Sequence, residues 1–448
     1  MRYVIIGGDA AGMSASSRLK RRAPGSEVIV FEKTGDVSYS ACSMPYNIAD
    51  PETPMDKLVV RSADAFRNNQ GIDLRTGHMV ESIDSAAKTV RGTDAAGKEF
   101  VQAYDKLLIA TGARAVIPSV PGMDLDGVFR LKTLGDGRMI KSYIEGRDIR
   151  KAVIIGMGYI ALEMAESLRA RGIEVTMIKK RPNLLPWMIP DLSEQVLKQL
   201  EEQDVELRPG LPLEGIEREG ELLKVLAGGE VFEADLVLSA VGVVPETQLA
   251  ESAGIKLGAA GAYSIDENMR TSVPDIYSAG DCADIGSIIT GRKIWVPLAL
   301  TANRGGRVAA DNMLGEDVRF SGIAGTSVFK VFDLEVARTG LSVSEAEAAG
   351  FKPVYKAAVS KSKAHIFPGA AAVHASFIAD AESGRILGAQ MVGREGVARR
   401  INAAAVALQA EMSLSDFYEC DLAYAPPFSP VWDPLLTAAS VLIKKIEK

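Results

Sequence analysis

The chain has 448 residues, of which 47% are hydrophobic and 24% charged, and its formal net charge is −7. This length suggests about three domains of roughly 150 residues each, and the acidic balance excludes the basic surface of a nucleic-acid-binding protein. No apolar run reaches the roughly 18 residues of a membrane span, and three scattered cysteines exclude a disulfide framework or a metal cluster. Because a core strand begins at residue 3 with no targeting segment before it, we expect a cytoplasmic protein. The small number of cysteines also leads us to expect no bound metal.

The first apolar strand, residues 3–6, leads into a loop of small residues that opens a helix. Small residues let backbone N–H groups approach a pyrophosphate, and Glu32 ends the next strand, where a carboxylate accepts ribose hydroxyls. Asp9 replaces the middle glycine of the usual pattern, and its charge would repel phosphate unless the side chain points away. The pattern predicts an adenine-dinucleotide site, with a structural turn as the alternative. The predicted loop contacts are Gly7, Gly8, Ala10, Ala11 and Gly12.

Cys42 lies in the segment VSYSACSMPY, residues 37–46, where a short helix is expected to begin. The N-terminus of a helix stabilises a thiolate, so we expect a lowered pKa and a reactive sulfur. No second cysteine stands nearby, so the oxidised form would be a mixed disulfide with a small thiol, a persulfide or a sulfenic acid. The alternative is a small buried side chain. We interpret Cys282 as a packing residue and Cys420 as inert.

A second unit of strand, glycine loop, helix and strand follows at residues 152–179. Its second strand ends in Lys179, Lys180 and Arg181 rather than in an acid. An acid at this position favours NADH, whereas cations accommodate the 2′-phosphate of NADPH. The sequence therefore predicts NADPH, with a solvated basic turn as the alternative. The other predicted nucleotide contacts of this unit are Gly156, Gly158, Tyr159, Ile160 and Glu163.

The repetition of this unit predicts an α/β protein with two Rossmann-like dinucleotide-binding domains. From about residue 325 the pattern changes to mixed strands and helices, which is typical of an α+β domain. We therefore predict a first dinucleotide-binding domain in two parts, 1–148 and 244–322, a second one at 149–243, and a C-terminal domain at 323–448.

Four further segments, LLIATGA (107–113), TSVPDIYSAGDCA (271–283), VPLALTANRGGRVAADNM (296–313) and DLAYAPPFSP (421–430), carry a family resemblance. With the two glycine loops, the chain resembles the pyridine nucleotide–disulfide oxidoreductases of the single-cysteine branch. That branch contains coenzyme A disulfide reductases, NADH oxidases and peroxidases, and NADPH-dependent sulfur or persulfide reductases. The resemblance implies that the first domain binds FAD, the second NADPH or NADH, and the third forms a homodimer. The further cofactor contacts that it implies are Lys33, Val80, Thr111, Gly112, Lys132, Gly242, Gly280, Asp281, Pro297 and Ala299.

Arg18, Arg21 and Arg22 stand three or four residues apart on the first helix and so lie close on one face. The resemblance matches Ser14, Arg18, Arg21 and Ser38 to the substrate-binding positions of coenzyme A disulfide reductases. We therefore expect this face to bind coenzyme A, with a solvated arginine cluster as the alternative.

The resemblance also makes Cys42 the redox cysteine and places Tyr424 in the active site of the partner subunit, where it protonates or orients a departing thiolate. A second tyrosine of the family is expected in the segment that leads into Pro-Gly at residues 368–369, but this chain has Ile366 at that position, between His365 and Phe367. This departure favours a persulfide or another small disulfide as an acceptor beside coenzyme A disulfide. The first glycine loop also lacks the histidine of the peroxidases, which disfavours that activity.

The sequence thus predicts an FAD-dependent oxidoreductase in which NADPH reduces a coenzyme A disulfide, a coenzyme A persulfide or a related disulfide through Cys42. Two alternatives stay open. One is an NAD(P)H oxidase that reduces oxygen through a cysteine sulfenic acid, and the other is an electron-transfer reductase for a protein acceptor, which needs no cysteine.

Overall fold

The computed structural model describes residues 1–447. In this part of the chain the helices are α1 (Ala10–Arg22), α2 (Met44–Ala49), α3 (Ala63–Gln70), α4 (Leu134–Glu145), α5 (Tyr159–Ala170), α6 (Pro190–Glu202), α7 (Ala250–Ala253), α8 (Ala299–Met313), α9 (Val343–Ala349), α10 (Val397–Gln409), α11 (Leu414–Tyr418) and α12 (Pro434–Ile446). The strands are β1 (Arg2–Ile6), β2 (Glu27–Glu32), β3 (Asp73–Thr76), β4 (His78–Asp84), β5 (Thr89–Asp94), β6 (Glu99–Ala103), β7 (Lys106–Ile109), β8 (Ala113–Ala115), β9 (Val128–Arg130), β10 (Lys151–Ile155), β11 (Glu174–Lys179), β12 (Val205–Pro209), β13 (Leu213–Glu219), β14 (Leu222–Ala227), β15 (Glu230–Ala234), β16 (Leu236–Ser239), β17 (Val243–Pro245), β18 (Ile276–Ser278), β19 (Ile285–Gly286), β20 (Lys293–Ile294), β21 (Ser327–Val331), β22 (Leu334–Gly340), β23 (Pro353–Tyr355), β24 (Ala358–Lys361), β25 (Ala372–Asp380) and β26 (Ile386–Gly393).

The first unit is a five-stranded parallel sheet in the order β18-β7-β1-β2-β3. Its central strand β1 is apolar on both faces, and Val4 pairs with Ile29 of β2 on one side and Leu107 of β7 on the other. After the first glycine loop, α1 packs along α8. The carboxyl ends of β1 and β2 thereby meet the N-terminus of α1, which is where a dinucleotide binds in this fold.

The second unit is another parallel sheet, in the order β12-β11-β10-β16-β9. The second glycine loop joins β10 to α5. Strand β9 lies in the segment that the sequence assigned to the first domain, yet it is hydrogen-bonded to β16 at the edge of this sheet. The second unit therefore includes the strand Val128–Arg130, while the predicted domain limits otherwise stay predictions.

The third unit is an antiparallel sheet of six strands in the order β21-β22-β26-β25-β23, with β24 paired to β25. Helices α10 and α12 cover one face, where Phe377, Leu408 and Leu435 belong to one core. The sheet also contributes Phe329 and Val392 to a core that it shares with the second unit. The three units confirm the predicted fold class, an α/β protein with two Rossmann-like domains and an α+β C-terminal domain.

No helix within residues 1–447 combines the length and the apolar character that crossing a membrane requires. The same residues contain no group of three or more histidine, cysteine, aspartate or glutamate side chains that could hold a metal ion.

Candidate active site

The first glycine loop is pressed against the end of β7. Gly7 has a φ of +112°, and a Cβ at this residue would stand 2.1 Å from the carbonyl oxygen of Ala110. Glu32 is held in place because its Oε2 accepts the Gly8 N–H at 2.9 Å and its Oε1 accepts the Thr34 N–H at 2.8 Å. This backbone cradle and anchored carboxylate fit the pyrophosphate and ribose of FAD.

Asp9, the irregular residue of this loop, is the N-cap of α1 but makes no side-chain capping hydrogen bond. Burial raises the pKa of Asp9 to about 6, although the Tyr39 backbone N–H and the charge of Lys132 oppose that rise. The hydrogen bond to Tyr39 directs the carboxyl group toward the segment that carries Cys42. Its raised pKa also reduces the negative charge near the pyrophosphate position as the pH approaches 6.

The residues that the resemblance matches to the cofactors lie mostly in the segments that follow strands of the first two parallel sheets. Lys132 Nζ lies 3.5 Å from Asp281 Oδ2, and the carbonyl of Asp281 accepts the Trp295 Nε1–H at 2.8 Å. Thr111 Oγ1 donates to the carbonyl of Glu246 at 2.7 Å. The structure thus brings Lys132 and Asp281 together as an ion pair. The other matched residues are Lys33 after β2, Val80 in β4, Gly112 after β7, Gly242 after β16, Gly280 after β18, and Pro297 and Ala299 at the start of α8.

Cys42 lies in a short 3₁₀ turn that leads into α2, and the residue is exposed, whereas Cys282 is buried. Partial burial of the thiol is the main cause that raises the pKa of Cys42, and the charges of Glu163 and Asp281 follow. Lys132 opposes them. The expectation that the helix start lowers the pKa of Cys42 is therefore wrong. Burial of the thiol and the nearby carboxylates raise this pKa instead.

Glu163 reaches this region from α5 of the second unit, where α5 packs against α2. Tyr46 donates a hydrogen bond to Glu163 Oε1 at 2.9 Å. Burial raises the pKa of Glu163, although this hydrogen bond lowers it. Sequence reasoning missed Tyr46, because its role depends on a contact between residues 117 positions apart. Tyr159, at the start of α5, stacks on Phe329 with ring centroids 4.5 Å apart.

The second glycine loop repeats the geometry of the first. Gly156 has a φ of +119°, and a Cβ there would stand 2.3 Å from the carbonyl oxygen of Ala240. Gly158 is the N-cap of α5, and the backbone N–H groups that follow it, from Tyr159 and Ile160, are placed where they would bind a pyrophosphate. This loop fits the nicotinamide dinucleotide expected for the second unit.

In the basic turn after β11, Lys179 is less available to a ligand than the sequence suggests. Lys179 Nζ donates to the carbonyl oxygens of Asn183 at 2.7 Å and Leu184 at 2.6 Å. Burial lowers the pKa of Lys179, and the charge of Arg181 adds to this effect. Lys180 and Arg181 are exposed. These two residues are therefore the cations of this turn that are free to meet a 2′-phosphate.

Helix α8 packs against α1 beside the face of α1 that is predicted to bind coenzyme A. Ser14 Oγ donates to Asn303 Oδ1 at 2.6 Å, and Arg18 Nε donates to Asp311 Oδ1 at 2.6 Å. Arg22 donates to the same carboxylate at 2.9 Å. Sequence reasoning missed the two α8 residues, because no local pattern shows that they meet α1 almost 300 positions away. We call the surface between these two rows of side chains the α1–α8 groove.

The remaining predicted substrate contacts lie beside this groove. Arg22 also forms an ion pair with Glu316. Arg21 is exposed, and within residues 1–447 it forms no ion pair. Ser38 has a φ of +48°, and its N–H donates to the carbonyl of Gly8 at 3.0 Å. Ser38 therefore joins the first glycine loop to the Cys42 segment.

Tyr424 lies on the surface of the third unit, where 49% of it is exposed. Ile366, at the position of the missing tyrosine, is 80% exposed, and His365 is also exposed. Within the described chain Tyr424 makes no side-chain hydrogen bond. Its predicted role therefore depends on a second subunit.

Comparison with known proteins decides the family. The model of the pyridine nucleotide-disulphide oxidoreductases matches residues 1–306, and the model of the dimerisation domain of the same family matches residues 326–435. The chain belongs to the pyridine nucleotide-disulphide oxidoreductases. It is therefore an FAD-dependent oxidoreductase that works with a nicotinamide cofactor, and the dimerisation domain supports a homodimer.

Three members of the family show what this oxidoreductase is similar to. An "NAD(P)H sulfur oxidoreductase (CoA-dependent)" from Pyrococcus abyssi is 40% identical over 98% of this chain and 97% of its own length. An "NADH oxidase" from Methanocaldococcus jannaschii is 35% identical over 100% of this chain and 99% of its own. The solved structure of an "NAD-Dependent Persulfide Reductase" from A. fulgidus superposes with a TM-score of 0.96, at 36% identity, over 100% of this chain and 84% of that one.

Proposed function

We propose that this oxidoreductase uses NADPH to reduce a coenzyme A disulfide, a coenzyme A persulfide or a related small disulfide through Cys42. The observation that carries the proposal is one exposed cysteine beside the flavin-site ion pair of Lys132 and Asp281, with no second cysteine as a partner. Such a thiol is oxidised by an external sulfur compound. The names of the sulfur oxidoreductase and persulfide reductase relatives support an acceptor of this kind.

In the proposed reaction, the Cys42 thiolate attacks R–S–S–R′ to form Cys42–S–S–R and releases R′S⁻. Bound FAD supplies a two-electron path from the nicotinamide to the new disulfide, whose S–S bond then breaks into the Cys42 thiolate and RS⁻. NADPH and one further proton thus convert one disulfide into two thiols and NADP⁺. Tyr424 of the partner subunit donates a proton to a departing thiolate.

The protein groups have separate tasks in this scheme. The first glycine loop and Glu32 bind FAD, and Lys132 with Asp281 orients it. Cys42 carries the covalent step. Lys180 and Arg181, which are exposed after β11, bind the 2′-phosphate of NADPH. We place the enzyme in the cytoplasm, where small thiols are kept reduced.

The Cys42→Ser variant tests this function in the FAD-loaded protein. Turnover of coenzyme A disulfide and of coenzyme A persulfide should fall to background, because the serine hydroxyl cannot form the mixed disulfide. Bleaching of the flavin by NADPH should persist and should be faster than with NADH. Cys282→Ser is the matched control, since that thiol is buried and should leave turnover unchanged. Undiminished turnover in Cys42→Ser would refute the proposal.

A second candidate function is the reduction of oxygen through a sulfenic acid on Cys42, and the name of the NADH oxidase relative favours it. Oxygen uptake by the wild-type protein, measured with and without coenzyme A disulfide, separates the two. Uptake that is fast and unaffected by the disulfide supports the oxidase.

A further inference from the structure

Side chains of α1 and α8 bridge the α1–α8 groove at two points. Ser14 meets Asn303 at one point, and Arg18 meets Asp311 at the other. Asn303 and Asp311 stand eight residues apart on α8, so about two helical turns separate the two contacts. The residue midway between them on α8 is Arg307.

The positions of residues around α8 place Arg307 on the side of the helix that borders the same groove. A helix advances by about 100° per residue, so Arg307 lies about 40° and Asp311 about 80° around the axis from Asn303. Because both flanking residues contact α1, the residue between them faces α1 as well. Arg307 is exposed, and within residues 1–447 it takes part in no side-chain hydrogen bond or ion pair.

The charges of the groove single out this residue. Arg18 and Arg22 share the carboxylate of Asp311, and Arg22 also binds Glu316. Two of the arginines expected to bind phosphate are thus already paired with carboxylates of the protein. Arg307 has no such partner, so all the N–H donors of its guanidinium are available to a ligand.

We propose that Arg307 binds a phosphate group of a coenzyme A-type acceptor directly, while Asp311 holds Arg18 in position beside it. The inference rests on the proposed function, since it requires an acceptor that carries phosphates. A planar guanidinium forms paired hydrogen bonds with phosphate oxygens. An unpaired arginine between two fixed contacts therefore supplies N–H donors to phosphate that the carboxylate-paired arginines Arg18 and Arg22 use within the protein.

Steady-state kinetics of the FAD-loaded dimer with two disulfides tests the inference. Coenzyme A disulfide carries phosphates, whereas pantethine has the same thiol arm without them. Arg307→Ala should raise the KM for coenzyme A disulfide about tenfold, the usual effect of losing one charge-assisted hydrogen bond. Its kcat and the KM for pantethine should not change. Arg307→Lys should restore part of the loss, because it keeps the charge but not the paired geometry.

Two further variants control for charge in general. Arg319→Ala removes an exposed positive charge from the loop after α8 and should leave both KM values unchanged. Arg22→Ala should raise the KM for coenzyme A disulfide less than Arg307→Ala does, because Arg22 is already paired. An equal rise in Arg319→Ala would show a long-range charge effect and overturn the inference.

The outcomes also separate this inference from the proposed function. If the wild-type protein reduces neither disulfide nor a coenzyme A persulfide, the proposed function fails and the inference falls with it. If the wild-type protein reduces coenzyme A disulfide and Arg307→Ala does so with an unchanged KM, only the inference fails. A loss that is the same for pantethine, or dissociation of the dimer, would also contradict direct phosphate binding.

Discussion

At the scale of single residues, burial and nearby carboxylates oppose the conversion of Cys42 to a thiolate. Burial is the largest cause that raises the pKa of Cys42, and Glu163 is the largest of the charges that add to it. Glu163 keeps its place through the hydrogen bond from Tyr46. The reactivity of the sulfur therefore depends on a carboxylate from the other dinucleotide unit, and not only on the start of α2.

The Glu163→Gln variant should lower the pKa of Cys42, because it removes a negative charge while the amide oxygen still accepts from Tyr46. The pH profile of iodoacetamide alkylation at Cys42, followed by mass spectrometry, should move to lower pH. Glu166→Gln is the matched control on the same helix, where that carboxylate is occupied by Lys330 and the Phe332 N–H. An unmoved profile in Glu163→Gln would show that this charge does not control the thiol.

At the scale of elements, the first dinucleotide site depends on the close packing of α1 and α8. A Cβ at Gly306 would stand 2.2 Å from the carbonyl oxygen of Ala11, which lies in the first turn of α1. Backbone atoms cannot yield as a flexible side chain can. The distance between the two helices is thus fixed by the absence of a side chain at this residue, and the glycine loop before α1 is fixed with it.

The Gly306→Ala variant should destabilise the protein by about 1–3 kcal/mol, the usual cost of overpacking, and should weaken FAD binding because α1 is displaced. Thermal unfolding and the flavin absorbance per chain after gel filtration measure the two effects. Gly135→Ala in α4 is the control, since its new Cβ would meet only Thr133 Oγ1 at 3.6 Å. Equal stability of the two variants would contradict this account of the α1–α8 contact.

At the scale of elements, the sequence could predict the units that local spacing defines, but not the contacts between distant segments. Each glycine loop, its strands and the acid at Glu32 lie within about thirty residues, so local spacing was enough to predict both Rossmann-like units. The edge position of β9, the pairing of Arg18 with Asp311 and the hydrogen bond from Tyr46 to Glu163 join segments about 100 to 300 residues apart. Such contacts follow from how the units pack, and a periodic pattern carries no information about them.

At the scale of the whole molecule, the third unit exposes a surface that a second subunit would cover. Tyr424, Phe428 and Trp432 are 49%, 75% and 56% exposed, although aromatic residues are usually enriched at interfaces rather than on free surfaces. The match to the dimerisation domain covers residues 326–435, which include all three. This arrangement supports a homodimer, and the proposed function adds that Tyr424 of one subunit acts at Cys42 of the other.

Hybrid dimers of one Cys42→Ser subunit and one Tyr424→Phe subunit test this composite site. If Tyr424 acts on the partner's Cys42, one site of the hybrid combines both defects, and the other combines intact Cys42 with intact Tyr424. The hybrid should then keep about half of the wild-type turnover, since a twofold dimer has two equivalent sites. If both residues act within one subunit, no site is intact, and turnover should not exceed half that of the Tyr424→Phe dimer. Differently tagged subunits, purified as hybrids and assayed before they exchange, distinguish the two arrangements.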